Sequence, residues 1–293
     1  GVTHDTRYIT PFPLYVTHAQ GPLKWDVDGN EYIDYVSGHG ALLLGHSHPD
    51  IVVAVASQVA KGTHLGASTE EELRWARAIK ALVPSADKMR FLASGTEATL
   101  MAMRLVRANT GRNKIIKFVE HFHGWQDYAI ATGNPLPGVP EATTDSVIVL
   151  EPELPLLERA IVDDGDVAAV ILEGTGAHYG QLPLMVPVFL EELRDITRKH
   201  GVLLILDEVV TGFRLSPGGA QVRFSIDPDL TTMAKIVAGG LPGGVVAGRA
   251  DVIDRIAFRD DPEWNSRERI AHPGTFNANP LSAVAGATCL ELI

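Results

Sequence analysis

Cysteine and basic residues are both scarce in this 293-residue chain. Cys289 is the only cysteine, so an intrachain disulfide is impossible and the cytoplasm is the expected compartment. Lys and Arg total 25 against 36 Asp and Glu, which gives a net charge of −11. An acidic surface argues against nucleic acid or an anionic membrane as the main partner. A small-molecule ligand is compatible with this charge, because such a ligand feels only the local field of its pocket.

Long hydrophobic runs are also missing. Aliphatic stretches such as VLLIL at residues 202–206 are much shorter than the roughly 20 residues that cross a bilayer. The first ten residues lack the basic-then-apolar pattern of a signal peptide. We therefore expect no membrane partner. A hydrophobic content of 45% is ample for the core of a large globular domain.

The beginning of the chain is predicted to form a small segment with a β-hairpin. In LKWDVDGNEYIDY, residues 23–35, alternating apolar residues flank a DGN turn. We expect residues 1–45 to form this N-terminal segment and residues 46–293 to form one large domain.

Two helices are predicted to follow the hairpin. Pro49 and Gly62 bracket the first of them at its start and its end. A capping box of Thr69 and Glu72 begins the second. The apolar face predicted for the second helix comprises Leu73, Ala76, Ile79 and Val83.

From about residue 88, short apolar runs alternate with amphipathic helices. The runs are MRFL (89–92), IIKFV (115–119), VIVL (147–150), AAVILE (168–173) and VLLIL (202–206). Buried strands that alternate with helices predict an α/β fold whose central sheet is mainly parallel and covered by helices on both faces. Ligands of such sheets bind beyond the carboxyl ends of the strands. The polar segment 258–270 is predicted to be a surface loop.

Two motifs stand where predicted strands end. Ser94-Gly95-Thr96 begins a helix, so its N–H groups, its hydroxyls and the helix dipole suit a phosphate, although a simple N-cap is an equal alternative. Asp207 and Glu208 directly follow VLLIL, and a poorly solvated Asp207 would need a cationic or N–H partner. The alternative for this carboxylate pair is a solvated strand end.

A lysine lies among small and apolar residues in TMAKIVAGGLPGG, residues 232–244. Removal from water lowers the pKa of a lysine, so Lys235 would offer a neutral amine as a nucleophile toward carbonyl groups. A lysine that extends its amine to solvent from the end of an element is the alternative.

The motif HFHG, residues 121–124, allows two interpretations. Its His-x-His spacing recurs at His46 and His48, and either pair could ligate a metal in a hydrolase, although no zinc-like set of carboxylate or cysteine ligands stands nearby. An aromatic ring between two polar residues also suits stacking on a flat cofactor. Together, a phosphate cradle, a stacking ring, a buried carboxylate and a desolvated lysine are what a pyridoxal phosphate site requires. We therefore predict this cofactor and no metal.

Five ordered motifs, ASGTEA, HFHG, LILDEVVTGFR, TTMAK and HPGTFNANP, resemble the class III pyridoxal-phosphate-dependent aminotransferases over residues 1–293. The sequence is most similar to the glutamate-1-semialdehyde 2,1-aminomutase branch of that family. SGHGALLLGHSHP and GGLPGG are also similar to D-phenylglycine aminotransferase. The resemblance implies the type I fold of pyridoxal phosphate enzymes. It also implies transfer of an amino group between an amino acid or amine and a keto or aldehyde acceptor, or an intramolecular 2,1-migration.

The resemblance further implies a role for each matching residue. Lys235 would form the Schiff base and shuttle a proton, and Asp207 would pair with the pyridine nitrogen. The remaining cofactor contacts would come from Gly95, Thr96, Phe122, His123 and Val209. Thr275 would reach the cofactor phosphate of a second subunit, which implies a homodimer, and Arg7 would meet a substrate carboxylate.

Three departures from the family pattern concern the site, and one concerns length. Phe122 replaces the Tyr that is more frequent in this branch, Gly174 replaces the usual Pro after Glu173, and His178 stands where an amide is usual. Family members continue into a small C-terminal domain and usually begin with an extra helix. We therefore expect the sequence to be a fragment of a longer chain. The alternative to an active enzyme is a catalytically inactive fragment that only binds the cofactor.

Overall fold

A computed structural model describes residues 2–176 and 186–293, and within these ranges ten strands form two sheets. The strands are β1 (Val16–Gln20), β2 (Leu23–Asp26), β3 (Glu31–Ile33), β4 (Lys88–Leu92), β5 (Lys114–Phe118), β6 (Val147–Leu150), β7 (Val167–Glu173), β8 (Leu203–Asp207), β9 (Leu230–Ala234) and β10 (Gly244–Gly248). The α-helices are α1 (Ser37–Gly40), α2 (Pro49–Lys61), α3 (Glu70–Leu82), α4 (Gly95–Thr110), α5 (Glu141–Thr144), α6 (Leu154–Asp164), α7 (Val186–Lys199), α8 (Gly219–Arg223), α9 (Ala250–Ile253) and α10 (Pro280–Glu291). Short 3₁₀ turns span Asp5–Arg7, Lys235–Ala238 and Asp254–Ile256.

The large sheet has the strand order β4-β10-β9-β8-β7-β5-β6. Strands β5 to β9 pair in parallel, whereas β10 is antiparallel to both of its neighbours, β4 and β9. Strand β4 therefore runs in the same direction as β9, and six strands end at one edge of the sheet. The predicted mainly parallel sheet is confirmed, and the predicted hairpin is the antiparallel pair of β2 and β3.

Helices cover both faces of the large sheet, as predicted. Because side chains alternate along a strand, Ile115 and Ile171 face one side, where they pack in a cluster with residues of α4. Ile116 and Leu172 face the other side and pack in a cluster with residues of α6 and α7. A third cluster joins α3 and α10 to β10. This packing fixes the strand ends on which the candidate site is built.

Two sequence predictions were wrong in detail. The buried face of α3 contains Trp75 and Ile79 but not Leu73, whose exposure is 54%. The helix is rotated toward Trp75 because this ring is fully buried and its Nε1 donates to the carbonyl of Val237 at 2.7 Å. Segment 258–270 is not a simple surface loop, since it contains a π-helical turn, Trp264–Glu268, anchored by a buried indole.

Gly219 is expected to be essential for stability. Its φ is +76°, and an added Cβ would lie 2.6 Å from Glu208 Oε1. Gly219→Ala combines left-handed strain with a steric clash, so we expect the free energy of unfolding to fall by about 3 kcal/mol. Gly165 is the matched control, because its φ is +70° but an added Cβ would meet nothing within 4 Å. Urea unfolding should show a clearly smaller loss for Gly165→Ala, and equal losses would contradict the clash.

Candidate active site

One cavity of 420 Å³ lies at the edge where the parallel strands end. It collects side chains and backbone from the ends of β4, β7, β8 and β9 and from the loop after β5. Seven of the predicted site residues line it: Gly95, Thr96, Phe122, His123, Asp207, Val209 and Lys235. The topology explains this convergence, because carboxyl ends of parallel strands meet at the same edge.

The start of α4 forms one wall of the cavity. Ser94 is the N-cap, and its hydroxyl accepts from the N–H of Glu97 at 3.2 Å. Glu97 in turn accepts from the N–H of Ala93 at 2.6 Å. The two interpretations of this motif, an N-cap and a phosphate site, therefore both apply, but to different atoms. Ser94 and Glu97 cap the helix, while the first turn at Gly95 and Thr96 presents the positive end of the dipole to the cavity.

The HFHG loop is fixed against the same helix. Thr99 Oγ1 donates to the carbonyl of His123 at 2.6 Å. Gly124 approaches α4 so closely that an added Cβ would lie 2.7 Å from Thr96 Oγ1, and its φ is +99°. The sequence analysis missed Thr99, for which the only signal was a threonine one turn into the helix. The glycine of HFHG was a signal of this close approach.

Asp207 and Glu208 differ in role although they are adjacent. Asp207 Oδ1 accepts from the N–H of Val209 at 3.0 Å and from Thr232 Oγ1 at 3.2 Å, and its Oδ2 lies 2.7 Å from His123 Nδ1. Glu208 points away from the cavity and accepts from the N–H groups of α8, where burial raises its pKa. Asp207 is therefore the carboxylate that faces the cavity, and Glu208 anchors α8.

Lys235 directly follows β9 in an unusual backbone conformation, with a φ of +57°. Among the described residues, its Nζ has no hydrogen-bond or ion-pair partner. Burial lowers the pKa of Lys235, and the nearby carboxylates Asp207 and Glu173 oppose this shift. A strained residue with an unpaired amine in a cavity is typical of a functional group rather than a structural one.

His121 lies behind the cavity and is almost fully buried. Its Nδ1 accepts from the N–H of Glu173 at 3.1 Å. Burial, followed by the charges of His123 and Lys117, lowers the pKa of His121 to about 3. The folded protein therefore holds this imidazole neutral at all but strongly acidic pH.

The pKa of His121 predicts a pH dependence of stability. Between about pH 6.5 and pH 3 the unfolded chain binds a proton at this histidine that the folded chain does not bind. The stabilising contribution is therefore complete above about pH 6.5 and is lost as the pH falls, at about 1.4 kcal/mol per pH unit. Urea unfolding of the wild type and of His121→Phe at pH 7, 6 and 5 should show a shallower slope for the variant. Parallel slopes would contradict the lowered pKa.

Two further sequence-predicted residues, Thr275 and Arg7, are not among the described residues that line this cavity. Thr275 lies in a second cavity of 520 Å³, where its carbonyl accepts from His64 Nε2 at 2.7 Å. Arg7 donates to Thr3 Oγ1 at 3.0 Å. Burial is the largest cause that lowers the pKa of His39, and the charges of His4, Arg7 and Lys235 contribute in decreasing order. His178 lies outside the described residues.

Residues 2–176 and 186–293 contain no group of three or more His, Cys, Asp or Glu residues arranged to hold a metal ion. His46 pairs instead with Asp34 at 2.6 Å, and His123 pairs with Asp207. No helix in the described part of the chain has the length and apolar character that a membrane span requires.

The chemistry of this site fits pyridoxal phosphate. The cavity combines a helix start for a phosphate, an aromatic ring at Phe122 for a flat ligand, a hydrogen-bonded carboxylate and an unpaired lysine. The close approaches at Gly95, where an added Cβ would lie 3.2 Å from Val209, and at Gly124 keep side chains out of the space near the helix start. The fold and the site together define a domain that fits pyridoxal phosphate at the carboxyl edge of a mainly parallel sheet.

Comparison with known proteins identifies the family. Residues 5–293 match the family model for aminotransferase class-III. Glutamate-1-semialdehyde 2,1-aminomutase from Rhodopirellula baltica is 42% identical over 96% of this chain and 64% of its own length. An omega-transaminase from Sphaerobacter thermophilus is 39% identical with a TM-score of 0.91, over 99% of this chain and 69% of that one. A variant of the glutamate-1-semialdehyde aminomutase from Pseudomonas aeruginosa PAO1, in complex with PMP, is 29% identical with a TM-score of 0.85. The match covers 97% of this chain and 64% of that one.

The chain belongs to the class III aminotransferase family. The predicted family, fold class and cofactor are thereby confirmed, since pyridoxal phosphate is the cofactor of this family. The chain spans about two thirds of the length of the curated relatives it matches.

Proposed function

We propose that this protein transfers an amino group between an amino acid or amine and a keto or aldehyde acceptor. The observation that carries this proposal is the unpaired amine of Lys235 in a cavity that also holds the Asp207 carboxylate. Pyridoxal phosphate would supply an aldehyde for covalent attachment and a ring that withdraws electrons from the substrate. The chain would supply the binding, the orientation and the movement of a proton.

Lys235 and Asp207 would have the two central roles. Burial disfavours the charged ammonium of Lys235, so its neutral amine would hold the cofactor through its aldehyde carbon and would also be the group that accepts and returns a proton. Asp207 would hold a proton on the pyridine nitrogen, because its carboxylate faces the cavity and three donors fix its position.

The other cavity residues would hold the cofactor in place. The N–H groups of Gly95 and Thr96 would bind its phosphate at the start of α4. Val209 and Phe122 would pack on the ring, and His123 would act through its hydrogen bond to Asp207. Phe122 keeps the stacking surface of the more frequent tyrosine without its hydroxyl.

A homodimer would complete the site. Thr275 lies in a different cavity from Lys235, which is compatible with a role in the site of a second subunit. Large apolar side chains near both cavities are exposed in the single chain, with Trp125 at 77% and Phe276 at 57%. Covering them is a reason for two copies to associate. The N-terminal segment, residues 1–45, contributes further exposed apolar side chains, among them Tyr8 at 72%.

At least one of the proposed substrates carries a carboxylate. Arg7 has the charge and the bidentate geometry to bind one, and the interaction of both Arg7 and Lys235 with His39 supports a position near the cavity. We also propose a cytoplasmic location, on the grounds that the single cysteine is buried as a free thiol whose pKa burial raises to about 11.

The experiment that tests the proposal is covalent trapping. Purified protein supplied with pyridoxal phosphate is reduced with borohydride, digested and analysed by mass spectrometry. We expect one pyridoxyl adduct on the peptide that contains Lys235. An adduct on Lys117, a buried lysine that does not line this cavity, or on no defined residue would overturn the assignment. An adduct on Lys235 without turnover of any donor would favour the form that only binds the cofactor.

A second candidate function is the intramolecular 2,1-migration of an amino group. Several relatives that are 41% to 44% identical to this chain are glutamate-1-semialdehyde 2,1-aminomutases. The two functions differ in the need for a second substrate. An aminomutase converts a single amino aldehyde without an added keto acid, whereas a transaminase stops after half a turnover until an acceptor is supplied. Following product formation with and without a keto acid distinguishes them.

A further inference from the structure

Two imidazole nitrogens, one on His121 behind the cavity and one on His123 in its wall, lack partners among the described residues. The rings of His121 and His123 are 2% and 1% exposed, and the Nε2 atom of each has no hydrogen-bond partner among the residues that the structure describes. The ring centroids are 6.0 Å apart with an interplanar angle of 64°. Buried polar atoms without partners are rare in folded proteins, so this pair requires an explanation.

The hydrogen bonds of the two rings fix which nitrogen of each carries the proton. Burial lowers the pKa of both imidazoles, so both rings are neutral near pH 7. His121 Nδ1 accepts from the N–H of Glu173, so the proton of this ring is on Nε2. His123 Nδ1 faces the carboxylate of Asp207 at 2.7 Å and must donate, so its Nε2 carries a lone pair. One unpartnered atom is therefore a donor and the other an acceptor.

We propose that a buried water molecule bridges His121 Nε2 and His123 Nε2, and that His121 acts through it as a positioning residue for Asp207. The water would accept from His121 and donate to His123, which is the complementary pair of bonds that the two tautomers require. Two hydrogen bonds of about 2.9 Å each would join nitrogens roughly 4.5 to 5.8 Å apart, a separation that is compatible with ring centroids 6.0 Å apart. The consequence for Asp207 rests on the proposed function, whereas the water site itself does not.

The bridge would extend the hydrogen-bond chain of the carboxylate. A hydrogen bond from the water to Nε2 of His123 favours the ring orientation in which Nδ1 donates to Asp207. A flipped ring would lose both hydrogen bonds, because its N–H and its lone pair would no longer face the carboxylate and the water. Thr99 holds the same segment from the other side, through the carbonyl of His123. His121 would thus stabilise the orientation of His123 without touching the cavity, which it does not line.

Nitrogen NMR of the purified full chain, with ¹⁵N-labelled histidine, tests the tautomers directly. We expect His121 to be protonated on Nε2, and His123 to be protonated on Nδ1 with a hydrogen-bonded, unprotonated Nε2. A crystal structure should show one water within hydrogen-bond distance of both Nε2 atoms. A proton on Nε2 of His123, or no water between the rings, would overturn the proposal. Both readouts use the wild type, so they do not depend on whether a variant folds.

Variants test the link between the two rings. His121→Phe should shift the Nε2 resonance of His123 downfield, toward the position of a nitrogen that accepts no hydrogen bond. His121→Gln, which keeps a donor at a similar distance from the backbone, should restore the shift. His18→Phe on the exposed strand β1 is the matched control and should leave it unchanged. An unshifted resonance in His121→Phe would also overturn the bridge. None of these readouts requires turnover, so failure of the bridge is distinguishable from failure of the proposed function, which the adduct on Lys235 tests.

Discussion

Replacing Lys235 with alanine is expected to reduce turnover by at least about 10⁴-fold, because the variant loses both the covalent attachment point and the group that moves the proton. No other lysine lines the cavity among the described residues, so no neighbouring amine can substitute for it. The measurement is the rate of amino transfer from a donor that the wild type accepts. The visible absorbance of the bound cofactor should change in parallel.

The loss of turnover should not be accompanied by a loss of stability. Nζ of Lys235 has no hydrogen-bond or ion-pair partner within the described part of the chain, so its removal breaks no such interaction. Alanine also carries the same left-handed backbone strain at this position, because the strain arises from the Cβ atom. We therefore expect the free energy of unfolding of Lys235→Ala to stay within about 1 kcal/mol of the wild-type value.

Lys61 provides the matched control. It lies at the exposed end of α2, outside the residues that line the cavity, so Lys61→Ala should retain full activity. Turnover above a few per cent of the wild-type rate in Lys235→Ala would contradict the assigned role. A large loss of activity in Lys61→Ala would show that the assay responds to something other than the site.

Much of the site was predictable because it follows from topology. Short aliphatic runs alternating with helices indicate a parallel sheet, and residues directly after those runs must meet at one edge. Asp207 and Lys235 could therefore be associated although 28 positions separate them in the sequence. The strand β9 before Lys235 and the antiparallel strand β10 were not predicted, since two threonines interrupt the apolar residues of β9 and the short aliphatic run of β10 lies between glycines.

The hydrogen bonds that orient the site could not be predicted in the same way. Thr99 and Thr232 are ordinary threonines in the sequence, and their roles depend on which backbone or carboxylate atom the fold brings near them. The choice of Asp207 over Glu208 as the carboxylate facing the cavity depends on α8, whose N–H groups bind Glu208. Trp75 and Trp264 illustrate the same limit. Trp75 donates to the carbonyl of Val237, which is distant in the sequence, and Trp264 lies in a short irregular turn and donates to the carbonyl of Ala257.

Asp207→Asn is expected to lower turnover by about 10² to 10³-fold, the size of effect seen when a preorganised electrostatic group is removed from an active site. The substitution preserves shape but removes the negative charge proposed to hold a proton on the cofactor ring. It also places an amide among three donors, from Val209, Thr232 and His123. One donor then faces an N–H group, so we expect about 1 to 3 kcal/mol of lost stability as well.

Glu208→Gln separates the two effects, because Glu208 is the adjacent carboxylate at the same strand end. It is buried and accepts from Thr211 and from the N–H groups of Ala220 and Gln221, but it does not line the cavity. We expect this variant to lose a similar amount of stability while its turnover per folded molecule stays within a few-fold of the wild type. Parallel measurement of kcat and urea unfolding for both variants gives the comparison. If Glu208→Gln lost as much turnover as Asp207→Asn, the charge on Asp207 would not be the cause, and the deficit would have to come from the packing of this strand end.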